Sequence, residues 1–343
     1  MRWGQSNPAL ALAALVLPLF ACGGSTSSSP AAPTPVPLAV TTPTVSGRAV
    51  DVFSTAPLAA VTVRLQNSVA ATTVADGSFS ISTASGQYAV VLSGTGIVER
   101  QTGMRVPGPE ALLTLIPTAF DLAAFDQMCR AGAGSLRRWD TAPKLVVIDA
   151  VLQFTSVTDS AYTATAERLS PSERDGMVAD LTWGLPQATG ETFRAFSAVT
   201  IESPEAGAQV PFFTREGTIV AARFLGLQAA GGYHGYGRWA SRSDVVVAGA
   251  IMVDRNYDAA AGMDLRALRV HEMGHALGYD HVAMSTRVSF MNNSGVILPN
   301  AFDRDATRLA FLRPPGNLSP DLDPVPFSAN FRSFPMVWGP ITP

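Results

Sequence analysis

The amino-acid sequence predicts an α+β chain, and three observations carry that expectation. Between residues 45 and 117, short runs of alternating apolar and polar residues recur between turn signals, the pattern of a small β-sandwich. Between residues 144 and 253, a strand-like run, a capped helix and three further strand-like runs follow one another. Between His271 and His281 lie three of the chain's four histidines, the first two at the i, i+4 spacing that a helix brings onto one face.

With 343 residues, 47% of them apolar, the chain exceeds one domain's core, so two or three units are expected. A net charge of -3 without a basic run offers no footprint for nucleic acid. Residues 1–22 read as a secretory signal: Arg2 precedes an apolar stretch from Ala9 to Phe20 that is too short to span a bilayer. Leu19-Phe20-Ala21-Cys22 resembles the bacterial lipobox, which makes Cys22 the expected lipidation site, with ordinary signal cleavage and secretion as the alternative. Gly23 after Cys22 resembles the sorting signal of outer-membrane lipoproteins in Gram-negative bacteria. Residues 23–44, rich in Ser, Thr, Pro and Ala and almost uncharged, cannot form a core and read as a disordered tether. Once Cys22 is acylated, Cys129 has no intrachain partner, so the fold does not depend on disulfides.

In residues 45–117 the β-like runs are 61–65, 78–81 and 88–92, with Asp76-Gly77 as a hairpin turn. Val45-Ser46-Gly47-Arg48, Ala75-Asp76-Gly77-Ser78-Phe79 and Gly86-Gln87-Tyr88 resemble the carboxypeptidase regulatory-like domain. That resemblance implies a spacer, docking or prodomain role. Residues 118–139 form a bridging segment.

Residues 140–318 carry the chemistry. The run 144–148 reads as a strand. Ser170-Pro171-Ser172-Glu173 then opens a helix with Ser170 as cap and Glu173 completing a capping box, and Met177, Leu181 and Leu185 give its buried face beside Trp183. Runs 193–201, 217–227 and 245–253 follow as strands. Asp264 is a candidate cap for the histidine helix, which Leu268, Val270 and Met273 provide with apolar sides. His234, among glycines and tyrosines at 231–237, reads as a loop residue, a ligand of a second structural metal, or part of a substrate-facing rim. Phe302, Ala306 and Leu309 predict a last helix, with Asn300 or Asp303 near its start and Pro314-Pro315 as its stop. Residues 319–343, rich in Pro and aromatic side chains, read as an extended arm.

On a helix, His271 and His275 can grip one metal ion, while Glu272 is turned aside, able to take a proton from a coordinated water. Gly278 can adopt positive φ and fold the chain back so that His281 supplies a third nitrogen. Three protein ligands leave a fourth position open, the arrangement of a catalytic zinc. The whole pattern, H-E-x-x-H-x-x-G-x-x-H, resembles that of the metzincin clan of zinc endopeptidases, and in particular its matrixin branch. Ser289-Phe290-Met291-Asn292, ten residues past His281, resembles the clan's Met-turn. Asn292 and Asn293 stand where astacins and serralysins place a tyrosine, which sets those branches apart.

The resemblance implies a twisted mixed sheet with a backing helix, an active-site helix, a Met-turn that places Met291 as a floor beneath the imidazoles, and a C-terminal helix. It also implies a zinc-dependent endopeptidase, with one catalytic Zn2+ on His271, His275 and His281 and Glu272 as general base. Its polypeptide substrate lies extended along an edge strand, expected at 245–253. A matrixin prodomain cysteine plugs the zinc before activation; Cys129 is either such a latency switch or a buried free thiol, and Cys129-Arg130-Ala131-Gly132 lacks the switch's glycine and proline. Two other functions stand beside this one: a surface binding or scaffold lipoprotein that zinc only stabilises, and an amidase acting on cell-wall peptides. The expected setting is extracytoplasmic, anchored by lipid to an outer membrane or secreted. The oligomeric state is left open, a monomer being the expectation.

Overall fold

Alternation in the first folded stretch produces seven strands: β1 (Thr44–Asp51), β2 (Thr62–Leu65), β3 (Ala70–Thr72), β4 (Ser78–Ser82), β5 (Gly86–Ser93), β6 (Arg100–Val106) and β7 (Ala111–Leu115). They form two sheets, ordered β4-β1-β7 and β3-β2-β5-β6. Val63, Leu65, Phe79, Ile81, Val90 and Leu92 fill the space between them, each at the inward position of its strand. The computed structural model describes residues 42–131, 134–258, 265–324 and 336–338. Cys22, nearly all of the expected tether and the expected cap Asp264 lie outside these residues; β1 already begins at Thr44.

The larger sheet has ten strands among the described residues. After the short helix α1 (Leu122–Cys129) come β8 (Arg138–Trp139), β9 (Lys144–Ile148), β10 (Ala150–Gln153) and β11 (Ala161–Arg168), then helix α2 (Pro171–Ala188). β12 (Ala198–Glu202), β13 (Gln209–Pro211), β14 (Thr218–Leu225), β15 (Gly235–Arg242) and β16 (Val245–Asp254) follow, then α3 (Leu265–Leu277), α4 (Ala301–Leu312) and β17 (Val337–Trp338). With few exceptions the architecture is sheet with helices packed on it, an α+β fold. At its centre, β14 pairs in parallel with β9 and with β16. These strands are buried on both faces: Leu145, Val147, Ile219, Ala221 and Ile251 enter the core shared with the helices, while Val146, Ile148, Val220, Ala222 and Met252 enter a second core on the other face. Continuous apolar runs are what such double burial demands.

One expectation is corrected here. The run 245–253 is an interior strand, because β14 holds one side of β16 and β15 the other. Its unbroken apolar run marks burial on both faces rather than an edge. The strand on the far side of it is β15, whose first residues belong to the glycine-rich stretch read from sequence as a loop. The run 193–201 is likewise shorter as a strand, since Phe193 and Phe196 are buried in the helix-side core ahead of β12.

α2 begins as its capping signals require. Ser170 Oγ accepts from the Glu173 N–H at 3.3 Å, and Glu173 Oε2 accepts from the Ser170 N–H at 2.7 Å. Such a cap is worth about 1 kcal/mol. Glu173 Oε1 also accepts from Arg223 Nη1 at 2.6 Å, tying the start of α2 to β14. Further along, Val270 and Met273 of α3 occupy the space in front of Gly184. α2 thus backs the histidine helix at close range.

The β-sandwich is joined to the rest by a buried seam, and the boundary near residue 117 is packed. Val52 and Ile116 enter the same core as Phe125 and Met128 of α1. Arg313, just after α4, is fully buried and donates to both carboxylate oxygens of Asp321 (2.7 and 2.8 Å) and to Thr114 of β7 at Oγ1 (2.8 Å) and at its carbonyl oxygen (3.0 Å). Arg100 of β6 donates to the same carbonyl at 2.7 Å and to Asp323 at 2.8 Å. Residues 321–323, within the segment 319–343 expected as an extended arm, thus pair with the sandwich, and Gln101 exchanges backbone hydrogen bonds with Asp321 and Asp323. No helix among the described residues is long and apolar enough to cross a membrane.

Candidate metal centre

α3 places His271 and His275 one turn apart, and the chain then folds back. Gly278 has φ of 109°, a conformation that L side chains rarely adopt, and a methyl there would press on Val246 of β16. The turn is closed by hydrogen bonds from the Gly278 N–H to the His275 carbonyl and from the Tyr279 N–H to the Gly274 carbonyl, both 3.0 Å. His281 is thereby returned to the helix. Its Nε2 lies 3.1 Å from that of His275, and one ligand nitrogen from each of the three imidazoles falls within 4.8 Å of the others. The rings of His271 and His275 stand perpendicular, with centroids 4.8 Å apart.

The outer nitrogens decide which atoms face the centre. His271 Nδ1 is 2.7 Å from the Phe290 carbonyl oxygen and His275 Nδ1 is 2.8 Å from that of Tyr279. A carbonyl only accepts, so each Nδ1 carries the proton and each Nε2 presents its lone pair to the cluster. Burial works the same way: it pushes the His271 imidazole down to about 4 and lowers His275 and His281 as well. Three neutral, converging nitrogens fit a borderline divalent cation such as Zn2+.

Met291 is fully buried, and with the Phe290 ring it fills the space in front of Gly274, on the helix turn between the two histidines. Two residues not singled out as site residues from the sequence fix this turn. Asp303, in the first turn of α4, accepts from Ser289 Oγ (2.5 Å), the Phe290 N–H (3.0 Å) and the Asn300 N–H (2.9 Å). Tyr279, fully buried, donates its hydroxyl to the Ala188 carbonyl at the end of α2 (2.7 Å), while its own carbonyl holds His275. Both are nonlocal contacts, and only the capping position of Asp303 was visible beforehand. Asn292 is buried as well, with Nδ2 donating to the Val282 and Arg287 carbonyls at 2.8 and 2.9 Å. The start of α3 is held by Arg269, which donates to Asp258 and Asp180, both at 2.8 Å.

Glu272 is 4% exposed, and burial pushes its carboxyl up to about 8, with a backbone hydrogen bond from Gly237 acting against the rise. A divalent cation at the neighbouring imidazoles favours the ionised form again. β15 crosses directly over this residue. A methyl on Gly235 would collide with the Glu272 carboxylate, and one on Gly237 with the Glu272 carbonyl and His275. Glycine at both positions is what lets the strand approach the helix so closely.

The three histidines and Glu272 line a cleft of about 640 Å³, walled by residues 232–239 on one side and 293–296 on the other. His234 belongs to this wall and stacks on Tyr257, centroids 4.2 Å apart; no second metal cluster forms around it among the described residues. Of the two readings left open for Cys129, the structure shows the buried free thiol. It ends α1 inside the core, neither lines the cleft nor joins the imidazole cluster, and burial raises its thiol far above the range in which it ionises.

No family model matches the chain, and no curated protein does. Among solved structures, two interface mutants of a type II cohesin–X-dockerin complex from Acetivibrio cellulolyticus match over 21% of this chain and 51% of theirs, at 26% and 28% identity and TM-scores of 0.18 and 0.17. The T6 backbone pilin of serotype M6 Streptococcus pyogenes matches over 19% of this chain and 16% of its own, at 20% identity and a TM-score of 0.17. The chain spans about half the length of the cohesin–dockerin chains it matches. At these scores none of the likenesses bears on the site.

Proposed function

We propose that this chain is a zinc-dependent endopeptidase of the metzincin type, matrixin-like, acting on proteins outside the cytoplasm. The observation that carries the reading is the convergence of three neutral imidazoles beside a buried carboxylate that is not one of the candidate ligands, in an open cleft. A purely structural zinc site ordinarily fills its fourth position with a protein ligand and has no use for such a carboxylate. Held by His271, His275 and His281, a zinc ion would supply Lewis acidity and would bring the pKa of a water bound to it towards about 7.

The chain's own groups do the rest. Glu272 accepts a proton at its carboxylate and delivers it to the leaving amine, and its burial keeps that proton from bulk water. His271 and His275 are held against rotation by the Phe290 and Tyr279 carbonyls, so the geometry is set before substrate arrives. An extended polypeptide adds to the edge of β15, along the wall that Gly235 and Gly237 bring over Glu272. The carrier of the activity is proposed to be a lipoprotein acylated at Cys22, with the sandwich as a fixed part of the fold.

Casein zymography of the purified chain tests the reading, with Glu272→Ala as control. Hydrolysis is expected to fall by roughly 100- to 10,000-fold, while zinc content by elemental analysis stays the same. A wild-type chain that binds zinc and cleaves no member of a broad protein panel would sink it.

A further inference from the structure

The edge of β15 that faces the cleft is shared. Its other edge is closed by β16 along the whole strand, from Gly235↔Val253 to Arg242↔Val245. On the cleft side β17 pairs with it at Ala240↔Trp338 and Ser241↔Val337, the two positions of this edge that are paired among the described residues. Residues 235–239 of β15 line the cleft. The Asp254 N–H donates to the His234 carbonyl at 2.8 Å, so in the antiparallel ladder His234, Tyr236 and Arg238 turn their backbone groups towards β16, and Gly235, Gly237 and Trp239 turn theirs to the other edge.

Direction follows from the register. β17 is antiparallel to β15, so the step from Val337 to Trp338 runs from Ser241 to Ala240, towards the cleft. A polypeptide adding to the same edge in the same sense has its N-terminal end beside Trp239, against β17, and runs towards Gly235, where the Glu272 carboxylate lies. We infer that β17 is an end stop for the substrate strand. It limits pairing to the span of residues 236–239, about four substrate residues on the N-terminal side of the scissile bond; residues farther out gain no contact with the sheet. The inference rests on the reading of the cleft as a polypeptide site and assigns a specificity role to a segment of the C-terminal arm.

The test is calorimetric titration of the zinc-loaded full chain with alanine-based peptidyl hydroxamates carrying one to seven residues before the hydroxamate. In the wild type, affinity is expected to rise roughly two- to fivefold per residue and to level off after the fourth. In Val337→Pro, which removes a backbone donor from β17, and in a chain lacking residues 336–343, the rise is expected to continue to the sixth or seventh residue. Deletion of residues 339–343 alone, which leaves β17 intact, is expected to keep the plateau at the fourth. Identical length profiles in the wild type and both β17 variants, or no length dependence at all, overturn the end stop. Casein turnover is read in parallel: its absence with the length profile intact counts against catalysis and leaves the end stop standing.

Discussion

Two buried polar clusters are tied to opposite ends of α4, one through Arg313 after its last turn and one through Asp303 in its first, and they are built on opposite plans. In the seam to the sandwich, Arg313 and Asp321 are both fully buried and their opposite charges meet directly, with Thr114 and Asn317 taking up further hydrogen bonds. In the candidate metal centre the outer nitrogens of His271 and His275 are satisfied by carbonyls, while one ligand nitrogen from each of His271, His275 and His281 converges within 4.8 Å of the others. Acceptors turned on one another repel, and a cation between them reverses the sign. A cluster that closes on itself contributes to the fold; one that satisfies its rim and turns like lone pairs on one another at its centre has the donor set for a cation.

Breaking the closed cluster has the largest expected effect. Arg313→Ala leaves Asp321 as a buried charge without its partner and is expected to cost about 3–5 kcal/mol, measured by urea unfolding, with sandwich and cleft halves lost in one transition. A cost under about 1 kcal/mol, or a sandwich that melts separately, would show the seam to be incidental. Asp303→Asn weakens the acceptor set for Ser289, Phe290 and Asn300. It is expected to cost about 1–3 kcal/mol and to reduce zinc affinity roughly 10- to 100-fold, read by competition with a chelator; an unchanged affinity sets aside its positioning role. Tyr279→Phe removes one hydroxyl donor to Ala188. A loss of about 1 kcal/mol is expected, with a smaller shift in zinc affinity than for Asp303→Asn.

The smallest effect is one of pH and sharpens the same contrast at the surface. The Arg223 guanidinium, with the Ser170 hydroxyl and N–H, holds the Glu173 carboxyl at about 2, below its ordinary 4.5. Its folded form therefore binds fewer protons than the unfolded chain between those values. The stability it contributes is present above pH 4.5 and lost as the pH falls towards 2. Glu173→Gln, which removes the titrating carboxyl and leaves the buried Arg223–Asp258 pair in place, is expected to flatten that part of the acid-denaturation curve, and a curve of unchanged slope there would rule out the linkage.

Local signals were legible where the geometry is local. The capping box at Ser170 and Glu173, the buried face of Met177, Leu181 and Leu185, and the i, i+4 histidines each depend on residues within one or two helical turns. The sandwich was legible because alternation reports one buried face directly. The misplaced edge strand shows the limit: an apolar run at 245–253 says that both faces are buried and says nothing of which strands lie beside it. Of the two readings of Cys129, the buried free thiol is the one found, and the sequence could not choose between them because it marks a thiol but not the side of α1 on which it is buried.

By itself, the sequence determined the grip of the candidate metal centre: which three histidines come together, which carboxylate stands beside them, and where the helix stops. These depend on helical periodicity and on one glycine with positive φ, both properties of neighbouring residues. The tertiary structure alone decided what surrounds the grip. β15 passes over Glu272 on two glycines, Asp303 reaches across from α4 to hold the turn, Tyr279 fastens it to α2, and β17 ends the open edge. Each of these is a pairing between segments far apart in the chain, and strand partners and buried hydrogen-bond partners are chosen when the core closes, not by the periodicity of any one segment.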